Sequence, residues 1–262
     1  MAFEKAVIIF LELSGKIFFF KVVSIQAVNK NYWTRAFLDF LFPPLCLGCG
    51  EFNKSKIDIC DSCLKAVDRY ENPFCLNCRA EITRESAGCN ICGEEAFLMF
   101  AWGNYIDPLK QVIIQYKFKE ITSPSRIIAG AVCEQFGPLI KSLDADILIP
   151  IPLHPSREYY RGYNQATLFA ERLGELLDID VDDDLLYRTE KRQPQARLNE
   201  YQRLRNIRGV FKVDIDCHDM DGRKVLLVDD VVTSGATVFE AKRTLQKAGF
   251  SVPGVITMAH GL

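Results

Sequence analysis

The chain has 262 residues, enough for one large domain or two smaller ones around a substantial core. Apolar residues make up 48% and charged residues 25%, the balance of an ordinary globular protein. A formal net charge of −2 excludes a global field that would draw nucleic acid or an anionic membrane.

Residues 6–28 are apolar, but Glu12, Lys16 and Lys21 interrupt them. No charge-free run approaches the roughly 18–20 residues that span a bilayer. Glu4 precedes Lys5 and no small-residue cleavage site is evident, so the features of a signal peptide are missing. Three readings of this extension, residues 1–35, stay open. It is an amphipathic or β-prone segment packing on the surface, translated upstream sequence that the fold does not need, or a weak membrane attachment. Residues 36–45, AFLDFLFPPL, read as a short apolar helix stopped by Pro43 and Pro44.

A cysteine-rich module follows, within residues 36–96. Of the 10 cysteines in the chain, eight form four C-x-x-C pairs: Cys46/Cys49, Cys60/Cys63, Cys75/Cys78 and Cys89/Cys92. Such a polar, Gly-rich stretch cannot build its own core and needs a staple. Each C-x-x-C offers two tetrahedral positions, so two pairs make one closed zinc site. Eight cysteines suggest two structural Zn²⁺. The repeated ten-residue spacing favours pairing first with second and third with fourth, with a cross-braced arrangement as the alternative. Gly48, Gly50, Gly88 and Gly93 suit the tight turns of such knuckles. Clustered pairs in a chain of this length point to metal in a reducing, cytoplasmic compartment rather than to disulfides; iron–sulfur ligation is a further alternative.

From Phe97 onward, strands and helices alternate, which implies a parallel α/β sheet flanked by helices over 97–262. FLMFAWGNYI at 97–106 reads as a strand, and Asp107 could cap a helix through LKQVIIQYKF. Ser123 and Pro124 open another helix, which Pro138 bends or interrupts. ILIPIP at 147–152 is a strand. Asn164 caps a helix whose apolar face is Ala166, Phe169, Leu173, Leu176 and Leu177. A short strand follows near 185–187, then a basic segment, 188–212, holding eight Lys and Arg against Glu190 and Glu200. VLLVDD at 225–230 is a buried strand ending in acids, followed by a helix over 237–248 and a closing strand, VITMA, at 255–259.

Asp229 and Asp230 therefore fall at the carboxyl edge of the sheet, where open α/β folds bind ligands. Carboxylates accept hydrogen bonds from hydroxyls, which suits a ribose diol. Thr233, Ser234, Gly235, Ala236 and Thr237 lead into a helix. Backbone N–H groups at a helix start, flanked by hydroxyls, cradle a phosphate, and Gly235 lets the backbone turn closely around it. Read together, VLLVDDVVTSGAT is a site for phosphoribosyl pyrophosphate.

That motif resembles the fingerprint of the type I phosphoribosyltransferases. With the paired cysteines, KFKE at 117–120, PLHPSREYYRGYNQ at 152–165 and RQPQARLNEYQRLRNIRGVF at 192–211, residues 36–262 resemble the ComF family of competence proteins, including its GntX-like members. The resemblance implies a type I phosphoribosyltransferase fold and roles for the remaining blocks. His154, Arg157 and Arg161, with Lys117 and Lys119, would hold pyrophosphate beside a substrate-borne Mg²⁺. Arg197, Arg203 and Asn206 match family positions in a flap over 188–212. Asp229 and Asp230 would favour an oxocarbenium-like transition state, with Asp230 a base toward an acceptor nitrogen. The acceptor is not legible.

Three functions are compatible with these residues: a Mg²⁺-dependent phosphoribosyltransferase, a sensor that binds the same ligand without turnover, and an accessory protein for DNA uptake. The third would touch single-stranded DNA through Arg203, Arg205 and Arg208, or DNA-uptake proteins. An oligomer is compatible with all three.

Overall fold

In the computed structural model, residues 7–13, 16–22, 43–53, 58–83, 88–118, 121–189, 209–214 and 222–261 are described. The expected helix over 36–45 lies outside them except for 43–45. So do Lys119, Arg197, Arg203, Arg205, Arg208 and Asn206. Residues 1–45 and 46–262 are two compact units.

In the first unit, β1 (Val7–Leu13) and β2 (Lys16–Val22) form an antiparallel hairpin, with Val7 opposite Val22 and Leu13 opposite Lys16. This is the β-prone reading of the extension. Its run of Val, Ile and Phe favours a pleated strand over a helix.

The second unit is built on a six-stranded sheet with the order β3-β4-β10-β9-β5-β6. These strands are β3 (Phe74–Cys75), β4 (Leu98–Asn104), β5 (Ile147–Pro150), β6 (Asp180–Val181), β9 (Lys224–Val232) and β10 (Ser251–His260). Every pairing is parallel except β3 with β4. The sheet is therefore mixed at one edge, where the cysteine module contributes β3. Between β6 and β9, β7 (Leu186–Arg188) and β8 (Phe211–Val213) pair as a separate antiparallel ribbon. They bracket the basic segment.

Alternation along the central strands sorts side chains onto two faces. Leu226 and Val228 of β9 join a core with Leu98, Phe100 and Trp102 of β4. That core is closed by α2 (Leu109–Phe118), α3 (Ser123–Lys141) and α5 (Gln165–Leu177). Val225 and Leu227 face the other way, against Val238, Ala241 and Leu245 of α6 (Ala236–Lys247). α3 runs through Pro138 without ending there. Asn164 caps α5 as expected: its Oδ1 accepts from the Ala166 N–H at 3.0 Å, and its Nδ2 donates to the Ile151 carbonyl at 3.0 Å. Leu176 departs from its expected place in the apolar face and is 51% exposed. Leu177 lies one helical step round and takes the buried position.

Several elements, β3 and β8 among them, were not expected. The loop after β5 contains a short helix, α4 (Pro155–Arg161), closed by Gly162 in the left-handed region. The two-residue strand β6 pairs with Ile147 and Leu148 of β5. The cysteine module adds one more short helix, α1 (Asp61–Lys65).

Candidate phosphoribosyl site and zinc centres

Strand β9 is longer than the apolar run suggested and carries both acids inside it. Consecutive strand residues point to opposite faces, so Asp229 and Asp230 are separated. Asp229 lines a cavity of about 1040 Å³ together with Thr233–Thr237. Asp230 is buried on the other side, where its Oδ1 accepts from Lys117 Nζ of α2 at 2.8 Å. Lys117 thus stands against Asp230, not open toward a pyrophosphate. The Asp229 carboxylate turns back to accept the Asp230 N–H at 2.8 Å.

The loop 233–235 ends in Gly235 at φ 77°, the N-cap of α6, with no side-chain cap. The first N–H groups of α6 therefore have no capping side chain, and Gly235 fills the left-handed position that a β-carbon disfavours. With the Thr233, Ser234 and Thr237 side chains alongside, this is an anion cradle on the cavity wall.

Burial, and then the charge of Asp230, push the Asp229 carboxyl up to about 8, against the opposing influence of Lys117, the Asp230 N–H and Arg188. The unfolded chain releases that proton near pH 4. Between about pH 4 and pH 8 the native state holds more protons than the unfolded state, so stability falls as pH rises through that window. Asp229→Asn removes this penalty. The variant is expected to melt above the unsubstituted protein at pH 8, with the gap closing toward pH 4. An equal or lower melting temperature at pH 8 contradicts the placement.

On the arginine loop, His154 is the N-cap of α4, and its Nδ1 lies 3.3 Å from the Ser156 N–H and 2.7 Å from Ser156 Oγ. Arg157 is exposed. Arg161 donates to Gln165 Oε1 at 2.9 Å. None of the three lines the cavity. A further arginine, not given a site role in the sequence, lies within electrostatic range of both Arg157 and Asp229. Arg188, at the end of β7, responds first to burial, then to the like charge of Arg157 and the opposite charge of Asp229. Its position at the head of the basic segment was the available signal.

The rest of the cavity lining was also missed. Tyr70, Asn72, Phe74, Arg79 and Glu81 of the cysteine module belong to it, with His260 of β10. Burial, then the Arg79 charge, lowers the His260 pKa from its ordinary value.

The cysteines gather as the repeated spacing predicts: Cys46, Cys49, Cys60 and Cys63 in one group, Cys75, Cys78, Cys89 and Cys92 in the other. Within each group the sulfurs lie within 4.8 Å of one another. Thiolates about 2.3 Å from a tetrahedral zinc sit roughly 3.8 Å apart. Cys49–Cys60 at 4.0 Å and Cys78–Cys89 at 3.4 Å match that size. The Gly48 and Cys60 N–H groups point at Cys46 Sγ, at 3.4 and 3.3 Å, as suits a thiolate. Four sulfur donors fit a closed, structural Zn²⁺ and leave no open position for catalysis.

A mostly parallel α/β sheet, with an acidic strand and a hydroxyl-bearing helix-start loop opening on one cavity, here carries a double zinc ribbon. Residues 37–94 match the double zinc ribbon domain family. The chain is 28% identical to Competence protein F of Haemophilus influenzae, over 78% of this chain and 91% of that protein. It is 30% identical to the DNA utilization protein YhgH of Shigella flexneri, over 73% of this chain and 85% of that protein. Similar solved structures include adenine phosphoribosyltransferase from Thermoanaerobacter pseudethanolicus, at 15% identity and a TM-score of 0.32, covering 51% of this chain and 82% of that one. The chain belongs to the ComF family. Among the described residues, no helix is long and apolar enough to cross a membrane.

Proposed function

We propose that the chain binds phosphoribosyl pyrophosphate with Mg²⁺ and transfers its phosphoribosyl group to a nitrogen acceptor. One observation carries this reading: Asp229 and the uncapped α6 loop Thr233–Thr237 line the same cavity. The loop N–H groups and hydroxyls hold the 5′-phosphate, and Asp229 accepts from the ribose hydroxyls. A carboxylate on this wall is a hard oxygen donor that suits Mg²⁺, which when bound neutralises the pyrophosphate. Arg188 and Arg157 extend positive charge from Asp229 toward α4. In the transfer, the acceptor nitrogen bonds to the anomeric carbon as its bond to the pyrophosphate oxygen breaks. The proton shed by nitrogen passes to a carboxylate or to the leaving pyrophosphate. Lys117 holds the Asp230 side chain in place behind the site, at 2.8 Å.

The test is a calorimetric titration of phosphoribosyl pyrophosphate with and without Mg²⁺, followed by pyrophosphate release against a panel of bases and amines. Saturable, Mg²⁺-dependent binding is expected, and its absence overturns the proposal. Binding with no release against any acceptor favours a sensor.

A second reading, single-stranded DNA binding, has its own observation. Tyr159 and Tyr160 on α4 are 86% and 87% exposed, with ring centroids 5.9 Å apart. They lie between Arg157 and Arg161. Aromatic rings among cations suit the stacked bases and phosphates of single-stranded DNA, and one group of relatives is named for DNA utilization. Stacking contributes about 1–3 kcal/mol per base. Tyr159→Ala with Tyr160→Ala is therefore expected to weaken binding of a fluorescent oligothymidylate by at least about tenfold in an anisotropy assay. Unchanged affinity removes this face from consideration.

A further inference from the structure

The cavity has two dissimilar walls. One carries the phosphate-type loop. The other comes from the second cysteine group and its flanks, held to the sheet by β3: Phe74 pairs with Met99 and Cys75 with Leu98. On that wall, Tyr70, Phe74 and His260 form a connected aromatic cluster, with ring centroids 5.4, 5.2 and 6.1 Å apart. The Tyr70 hydroxyl donates to Asn104 Oδ1 at 2.5 Å and contacts His260 Nδ1 at 3.0 Å, which fixes the cluster. Beside it stand one strong cation, Arg79, and one carboxylate, Glu81, whose Oε1 accepts from Asn72 Nδ2 at 3.3 Å.

Arg79 occupies an unusual place. All four knuckles close with the N–H of the residue after the second cysteine donating to the carbonyl of the first: Leu64 to Cys60 at 3.0 Å, within α1, and, outside any helix, Gly50 to Cys46, Arg79 to Cys75 and Gly93 to Cys89, each at 2.8 Å. Gly50, Arg79 and Gly93 are left-handed, at φ 75°, 65° and 54°. Two are glycine, the residue that this conformation favours. Of the three left-handed knuckle positions, only the one that faces the cavity carries a side chain. A strained backbone position kept by a functional side chain is a known pattern at binding sites.

We infer that this wall is the acceptor site, and that it takes a planar nitrogen heterocycle bearing a ring carbonyl, with Arg79 setting the choice. The inference rests on the phosphoribosyl reading only for the role of the ligand, not for its binding. Aromatic side chains recognise a flat ring by its π-surface. Arg79 is a pure donor and calls for an acceptor oxygen; Glu81 is a pure acceptor and calls for a ring or exocyclic N–H. A ring with adjacent C=O and N–H groups meets both. The second zinc centre thereby acts on specificity, because it sets the backbone from which Phe74 and Arg79 project.

The test uses the full chain with zinc bound. Saturation-transfer NMR with hypoxanthine, uracil and orotate as probes, and adenine as the ring lacking a carbonyl, reads acceptor binding with and without phosphoribosyl pyrophosphate and Mg²⁺. At least one oxo ring is expected to bind the unsubstituted protein and to bind Arg79→Gly about tenfold more weakly, the loss of roughly one hydrogen bond. Glycine suits the left-handed position, so Arg79→Gly keeps its zinc and its melting temperature. It also keeps its affinity for phosphoribosyl pyrophosphate. The inference is overturned if no oxo ring binds, if adenine binds equally well, or if Arg79→Gly leaves affinity unchanged. Failure of the unsubstituted protein to bind phosphoribosyl pyrophosphate sinks the earlier proposal separately, since ring binding is read on its own.

Discussion

Cys75→Ser protein is expected to hold one zinc in place of two and to melt at least about 10 °C lower. Cys75 is fully buried, supplies one of the four sulfurs of its group and is half of strand β3. A structural zinc in a small ribbon contributes about 10–16 kcal/mol to folding, and a three-sulfur remnant forfeits much of that. A domain of about 200 residues loses roughly 2–4 °C per kcal/mol, so a loss of several kcal/mol gives the stated shift. The damage is not confined to the ribbon. Cys75 N–H donates to the Ala80 carbonyl, and Leu76 N–H to that of Phe97, so releasing the knuckle frees the cavity wall. Cys133→Ser is the control: Cys133 sits on α3, apart from both groups, and should leave zinc unchanged. Elemental analysis by mass spectrometry, with a thermal melt, decides it. Two zinc ions in Cys75→Ser protein, or neither in the unsubstituted protein with its fold intact, would falsify the assignment.

The second large effect is on ligand binding. Asp229→Asn combined with Asp230→Asn is expected to weaken Mg²⁺-dependent binding of phosphoribosyl pyrophosphate at least about 100-fold. Binding is read at pH 9, where the Asp229 carboxyl is ionised. Hydrogen bonds to charged groups contribute roughly 1.5–3 kcal/mol each, and two lost ones exceed the roughly 2.7 kcal/mol that this factor represents. The two positions should not contribute equally. Asp229 faces the cavity, whereas Asp230 faces Lys117. Asp229→Asn alone should therefore carry most of the loss. Asp230→Asn should act indirectly, by releasing the Lys117 ammonium. Undiminished affinity in the double variant refutes the site.

Much of this was legible in the sequence because it is local. The run VLLV, bounded by acids and a turn, reads as a buried strand on its own, and Thr233–Thr237 carry their own helix start. The cysteine groups are the ones the repeated spacing favours, with the cross-braced alternative set aside only by the positions of the sulfurs. Period-two alternation already implied that Asp229 and Asp230 face apart; the consequence becomes visible only once α2 brings Lys117 up to one of them. α4 and β6 are too short for periodicity to reveal. The wall holding Tyr70, Phe74 and Arg79 was not legible because it is tertiary. Those residues reach Asp229 only through the adjacency of β3, β4, β10 and β9, which no local pattern encodes. Lys119, Arg197, Arg203 and Asn206 fall outside the described residues.

The pairing of β4 with β10 also bears on how the molecule is made. Leu98 lies beside Gly254, and Asn104 beside His260. During synthesis the cysteine module and β4 leave the ribosome well before β10 exists. The knuckles can take up metal early, but the strand they dock on stays unpaired along its inner edge until β10 arrives. Loop closure over such a span makes folding slow and leaves a sticky intermediate. Metal supply and chain completion are thus two separate clocks, and the cavity exists only after both have run.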